Sequence, residues 1–105
     1  MGKNKQLPQF IKSVLWSYDI KTVSLERDKR IIITQCLNYG TLGSIKWLFR
    51  TYGEAEIKKV VSEPNRGMWW KKVLNFWVTV LDIEIPKKTF ENAIIKLKPD
   101  FITTH

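Results

Sequence analysis

Residues 41–53 read TLGSIKWLFRTYG, and the fold is decided by this stretch. Leu42, Ile45, Leu48, Phe49 and Tyr52 recur three and four positions apart, which collects them on one side of a helix. Thr41 is a candidate cap, because its hydroxyl can accept an amide hydrogen that the first turn leaves unpaired. Gly53 supplies the stop, since it tolerates the left-handed backbone that closes a helix. Lys46 and Arg50 fall on the outward side. Trp47 stands beside the stripe and reads either as junction packing or as an anchor for a protein partner.

Downstream, Glu54 opens another helix without a long linker. Ile57, Val60 and Val61 form its buried side, Lys58 and Lys59 turn away, and Pro64 ends it. Asn65-Arg66-Gly67 is a turn. Trp69 to Leu81 then carries the richest apolar segment, with Trp70, Val73, Leu74, Trp77 and Leu81 as its stripe. Lys71, Lys72, Asn75 and Thr79 lie opposite. Neighbouring residues on a helix diverge, so Trp70 is assigned to the core. Trp69 is left to a helix junction or to a partner as an anchor. Ile83-Glu84-Ile85 alternates briefly until Pro86 interrupts it. Phe90, Ala93, Ile94 and Leu97 then suit a last helix before Pro99.

Upstream, Pro8 suits the first turn of a helix over about 8–16, with Phe10, Ile11, Val14 and Leu15 as its stripe. Trp16 and Tyr18 follow it. A further helix is expected after Ser24, with Leu25, Ile32, Ile33, Cys36 and Leu37 on one side and Asn38 and Gly40 as a stop. Ile31-Ile32-Ile33 favours strand, but the charged run Glu26–Arg30 before it breaks any alternation of period two. The expectation is an all-α, compact bundle of five or six short helices. It forms one domain over 1–105, with an ordered core of about 7–98 and flexible ends.

Eighteen Lys and Arg against ten Asp and Glu give a formal charge of +8, which attracts polyanions and acidic proteins alike. Cys36 is the only cysteine, so no disulfide can form within the chain. The opening MGKNKQLPQF lacks the apolar stretch of a secretion signal, and no run is long enough to span a bilayer. A cytoplasmic setting without a membrane role is expected.

Catalytic chemistry finds no foothold. His105 is the sole histidine and stands at the chain end, so neither a Ser-His-acid set nor a zinc cluster can be assembled. Cys36 falls on the apolar side as a structural thiol. Glu54 and Glu56 do not share a helix face, and Asp82 and Glu84 flank a helix end. No cofactor is implied, and the expected function is binding without bond chemistry.

One constellation stands out. Lys71 and Asn75 are four positions apart, Lys72 and Asn75 three, and Arg66 precedes them closely. Lysines on phosphates with an asparagine on a base edge would suit duplex DNA, which makes 54–81 a candidate helix-turn-helix unit. The same face suits an acidic protein partner. The alternative to both is a structural or protein-interaction subunit that uses Trp47 or Trp69 as anchors, with a homodimer among its forms.

The segments LPQFIKSVLWSYDI, CLNYGTLGSIKWLFRTYGEAEIKKVV and VLNFWVTVLDI resemble a family of small, uncharacterised helical prokaryotic proteins. Tyr39-Gly40, the stretch ending at Gly53 and Asn75-Phe76-Trp77 carry most of the likeness. Members are often encoded beside nucleotidyltransferase-like toxin proteins, so the resemblance implies an antitoxin-like or accessory role with that neighbour as partner. The family tends to place a Ser or Thr helix start before the NFW element. Here Arg66-Gly67-Met68-Trp69 replaces it.

Overall fold

The computed structural model describes residues 11–15 and 22–96. Within them lie six helices: α1 Ile11–Val14, α2 Lys29–Tyr39, α3 Leu42–Tyr52, α4 Glu54–Ser62, α5 Lys71–Val80 and α6 Lys87–Ala93. No strand occurs among the described residues, so the all-α bundle is the observed class. Pro8, Phe10, Trp16, Tyr18, Leu97 and His105 lie outside the described residues.

α2 is the axle, in contact with α1, α3, α4 and α5. Its stripe is wider than spacing suggests, because Thr34 and Gln35 are buried together with Ile32, Ile33, Cys36 and Leu37. A helix enclosed on most sides by other helices keeps no polar face in its middle. Gln35 tolerates this by donating from Nε2 to the carbonyl of Val14, 3.0 Å away, which ties α1 to the axle.

The helix after Ser24 begins later than expected. Ser24 Oγ accepts the Arg27 amide at 3.2 Å, and the Ser24 amide donates to Asp28 Oδ2 at 2.9 Å. Those bonds close one turn over 25–28, and α2 proper starts at Lys29. Thr41 caps α3 as expected, its hydroxyl accepting from the Ser44 amide at 3.3 Å. Gly53 (φ +86°) ends α3 and leads directly into α4. Gly40 acts differently from a left-handed stop. Its φ is −81°, and what it supplies is room: an added Cβ would sit 2.6 Å from the Cys36 carbonyl and collide with Ser44 Oγ.

Trp69 takes the junction position that is one of its two readings, and Trp70 leaves the core to which periodicity assigns it. Trp69 is wholly buried while Trp70 is 42% exposed. The helix starts only at Lys71, so the stripe cannot be extended backwards to Trp70. Trp69 lies on extended backbone, paired in parallel with Ile94: its amide donates to the Ala93 carbonyl at 2.9 Å and its carbonyl accepts from the Ile95 amide at 2.8 Å. Ile94 accordingly leaves the last helix instead of belonging to it. Leu42 also departs from the α3 stripe, at 69% exposed. It stands at the first helical position, beyond the reach of the core.

Candidate functional site

The local chain before α5 determines what this helix presents. Gly67 (φ +66°) reverses the backbone, and its amide donates to the Asn92 carbonyl at 2.9 Å. With the two Trp69 bonds, this clips residues 92–95 alongside 67–69. The Trp70 amide donates to Asn38 Oδ1 at 3.0 Å, while Asn38 Nδ2 donates to the Thr34 carbonyl at 2.8 Å. Asn38 thus links the axle to the start of α5.

These ties hold α5 and α6 apart as the walls of an open groove of about 670 Å³. Val78, Ile85, Phe90 and Ile94 supply apolar lining; Lys71, Asn75, Lys87, Glu91 and Lys96 supply the polar groups. Three lysines against one glutamate make the groove positive. None of the three takes an ion pair among the described residues, since the ion pairs there join Arg27 to Asp28, Lys29 to Glu56 and Arg30 to Glu63. Glu56 of α4 and Glu63 just beyond it are engaged by Lys29 and Arg30 of α2, and neither pairs with a groove lysine.

Of the four residues singled out by sequence, Lys71 and Asn75 meet on this groove. Lys72 and Arg66 are exposed but do not line it. Lys87 and Lys96 were not singled out, because what brings them to Lys71 is the pairing of Trp69 with Ile94, a contact between distant parts of the chain. The local hint is a third Lys-Lys pair at 87–88, after 58–59 and 71–72. α4 and α5 pack together, but residues 63–70 form an eight-residue connection between them. A helix-turn-helix needs a turn of about 3–4 residues, so this pair lacks the defining turn.

The tryptophan anchors fare unequally. Trp69 has no exposed ring to offer. Trp47 is half-buried, and its ring meets Tyr52 edge-on with centroids 6.4 Å apart. Cys36 is wholly buried, and burial pushes its thiol up to about 12, so it holds its proton at neutral pH. Glu56 is engaged by Lys29 at 3.1 Å, while Glu54, Asp82 and Glu84 are exposed. Among the described residues, no group of three or more His, Cys, Asp or Glu gathers where a metal could be held, and no helix is long and apolar enough to cross a membrane.

Residues 10–61 match the model of a family of unknown function (DUF6922). The matched segment takes in α1 to α4 and stops short of the groove. No curated protein and no solved structure gives a significant match.

Proposed function

We propose that this chain, whose residues 10–61 match the DUF6922 model, is an antitoxin-like or regulatory binding protein that holds an acidic protein partner in the groove between α5 and α6. The observation that carries this reading is the pairing of lysines Lys71, Lys87 and Lys96 with the apolar lining Val78, Ile85, Phe90 and Ile94. Phosphodiester backbones present charge without apolar surface, whereas an acidic segment of a protein presents both. Binding would act by occlusion or recruitment, with charge steering the encounter and the lining supplying most of the affinity. A nucleotidyltransferase-like toxin is the partner class that the family resemblance implies.

Duplex DNA is the second reading, supported by the net charge of +8. Calorimetric titrations with an acidic amphipathic peptide and with a short duplex, each at two salt concentrations, separate the two. The peptide is expected to bind, and reversing Lys71 and Lys87 to Glu should weaken it by about tenfold or more. Duplex binding that is tighter than the peptide's, with a steep loss of affinity at higher salt, would transfer the function to nucleic acid. Binding of neither would remove this face as a functional site.

A further inference from the structure

Large hydrophobic side chains are exposed at five described positions: Tyr39, Leu42, Trp70, Phe76 and Val80. Three of the five belong to α5 or its first flanking residue. Tyr39 and Trp70 meet edge-on with centroids 6.5 Å apart, and Phe76 stands edge-on to Trp77 at 5.1 Å. Phe76 and Val80 are 55% and 54% exposed, and with Lys72 they form one stripe at intervals of four. Phe76 follows Asn75 by about 100° of helical rotation, so this stripe is a different face from the groove.

Charge runs along α5 in one sense. Its first two residues are Lys71 and Lys72, its first turn holds no acid, and the residue preceding it, Trp70, gives no side-chain cap. Beyond its other end come Asp82 (φ +54°) and Glu84, both exposed and neither ion-paired among the described residues. The lysines add to the positive end of the helix dipole and the acids to the negative end. An acidic helix laid on this stripe would suit the lysines and be repelled by Asp82 and Glu84. A second copy turned end for end suits both.

We propose that the Phe76–Val80 face of α5 is a self-association surface, on which two copies of this chain pack with their α5 helices antiparallel about a twofold axis at Phe76. Lys72 stands about 6 Å along the axis before Phe76 and Val80 about 6 Å after it. Each Lys72 then faces Val80 of the second copy and approaches its Asp82 and Glu84. The amides at the uncapped start of each helix gain acids nearby. Phe76 and Val80, each more than half exposed, form the apolar centre of this interface, and Lys72, Asp82 and Glu84, all exposed, form its charged rim. Repulsion between two molecules of charge +8 opposes assembly at long range, but salt screens it beyond about 8 Å at physiological strength. The α5–α6 groove stays open in such a pair, so this inference stands independently of the partner proposed above.

Sedimentation velocity of the full chain over a concentration series tests it. A reversible dimer is expected, with a Kd of about 1–100 μM for so small an interface. Phe76→Glu and Val80→Glu should each leave a monomer whose circular dichroism matches wild type. Val80 serves as the second variant because Phe76 also touches Trp77. Lys72→Glu and Glu84→Lys should each weaken the dimer by about tenfold, and the two together should bind more tightly than either alone. A monomer at every concentration up to about 0.5 mM would overturn the proposal. So would a dimer that survives both Phe76→Glu and Val80→Glu, or a charge swap that restores nothing.

Discussion

Thr34 sits in the middle of α2, wholly buried, with a hydroxyl that has no hydrogen-bond partner among the described residues. Such a group has given up water without replacement, a loss of about 1–3 kcal/mol. Two positions away, Cys36 is equally buried but nearly apolar, and beside it Gln35 is buried with its amide engaged by Val14. Thr34 is therefore the position on the axle where polarity is least justified. Thr34→Val keeps the shape and deletes the hydroxyl. The expected gain is about 1 kcal/mol, seen as a rise in Tm of about 4–8 °C on thermal unfolding. A Tm at or below wild type would show that the hydroxyl is satisfied in solution. Trp69 Nε1 is another buried donor without a partner among the described residues. There the indole also fills the junction between the 67–69 segment and residues 93–95, so trimming it to Phe trades an orphan donor for a void.

The helices show which features spacing makes visible. At Gly40 the backbone is ordinary and the constraint is the carbonyl of Cys36 close behind it. Gly40→Ala is expected to cost about 1–3 kcal/mol in urea denaturation, as overpacking does, although its φ suits any residue. α3 and α4 were legible because cap, stripe and stop are local: Thr41, Leu48 and Gly53 do what their neighbours dictate. Buried Ile57, Val60 and Val61 were legible for the same reason. The start of α5 was not. Its helical stripe was extended one residue too far, and the pairing of Trp69 with Ile94, which decides where the helix begins, joins residues far apart in sequence. The groove followed the same division, since Lys71 and Asn75 are helix neighbours whereas Lys87 and Lys96 arrive through that pairing. Lys71 also bears on stability. A cation in the first turn opposes the helix dipole, so Lys71→Glu is expected to stabilise the fold by about 0.3–1 kcal/mol while weakening the acidic partner. A chemical melt and a peptide titration on the same variant check both halves. A variant that loses stability would mean that Lys71 serves the fold instead of a ligand.

At the scale of the whole molecule, the buried acids of the core make stability depend on alkaline pH. The Cys36 thiol is raised by burial from 9.0 to about 12, and the Tyr52 hydroxyl, which donates to the Leu25 carbonyl at 2.8 Å, is pushed up by burial in the same direction. For each, the folded state holds a proton that the unfolded chain releases earlier. Above the unfolded value of the thiol, the unfolded chain binds fewer protons than the folded one, so stability falls as pH rises. The contribution is intact below pH 9 and is lost as the pH approaches about 12. Tyr52 and the many lysines titrate over part of the same range, so wild type alone cannot isolate the thiol. Comparison with Cys36→Ala cancels the contribution of the lysines, which are common to both proteins, and reports the thiol together with the part of the Tyr52 shift that the thiol causes. The variant leaves a small void in α2 and should be less stable at pH 8. Between pH 9 and 11 wild type loses the thiol's contribution and the variant has none to lose, so the gap between their urea midpoints should close. A gap that stays constant over that range would mean that Cys36 ionises as freely in the folded protein as in the unfolded chain, and that the axle of the bundle admits water.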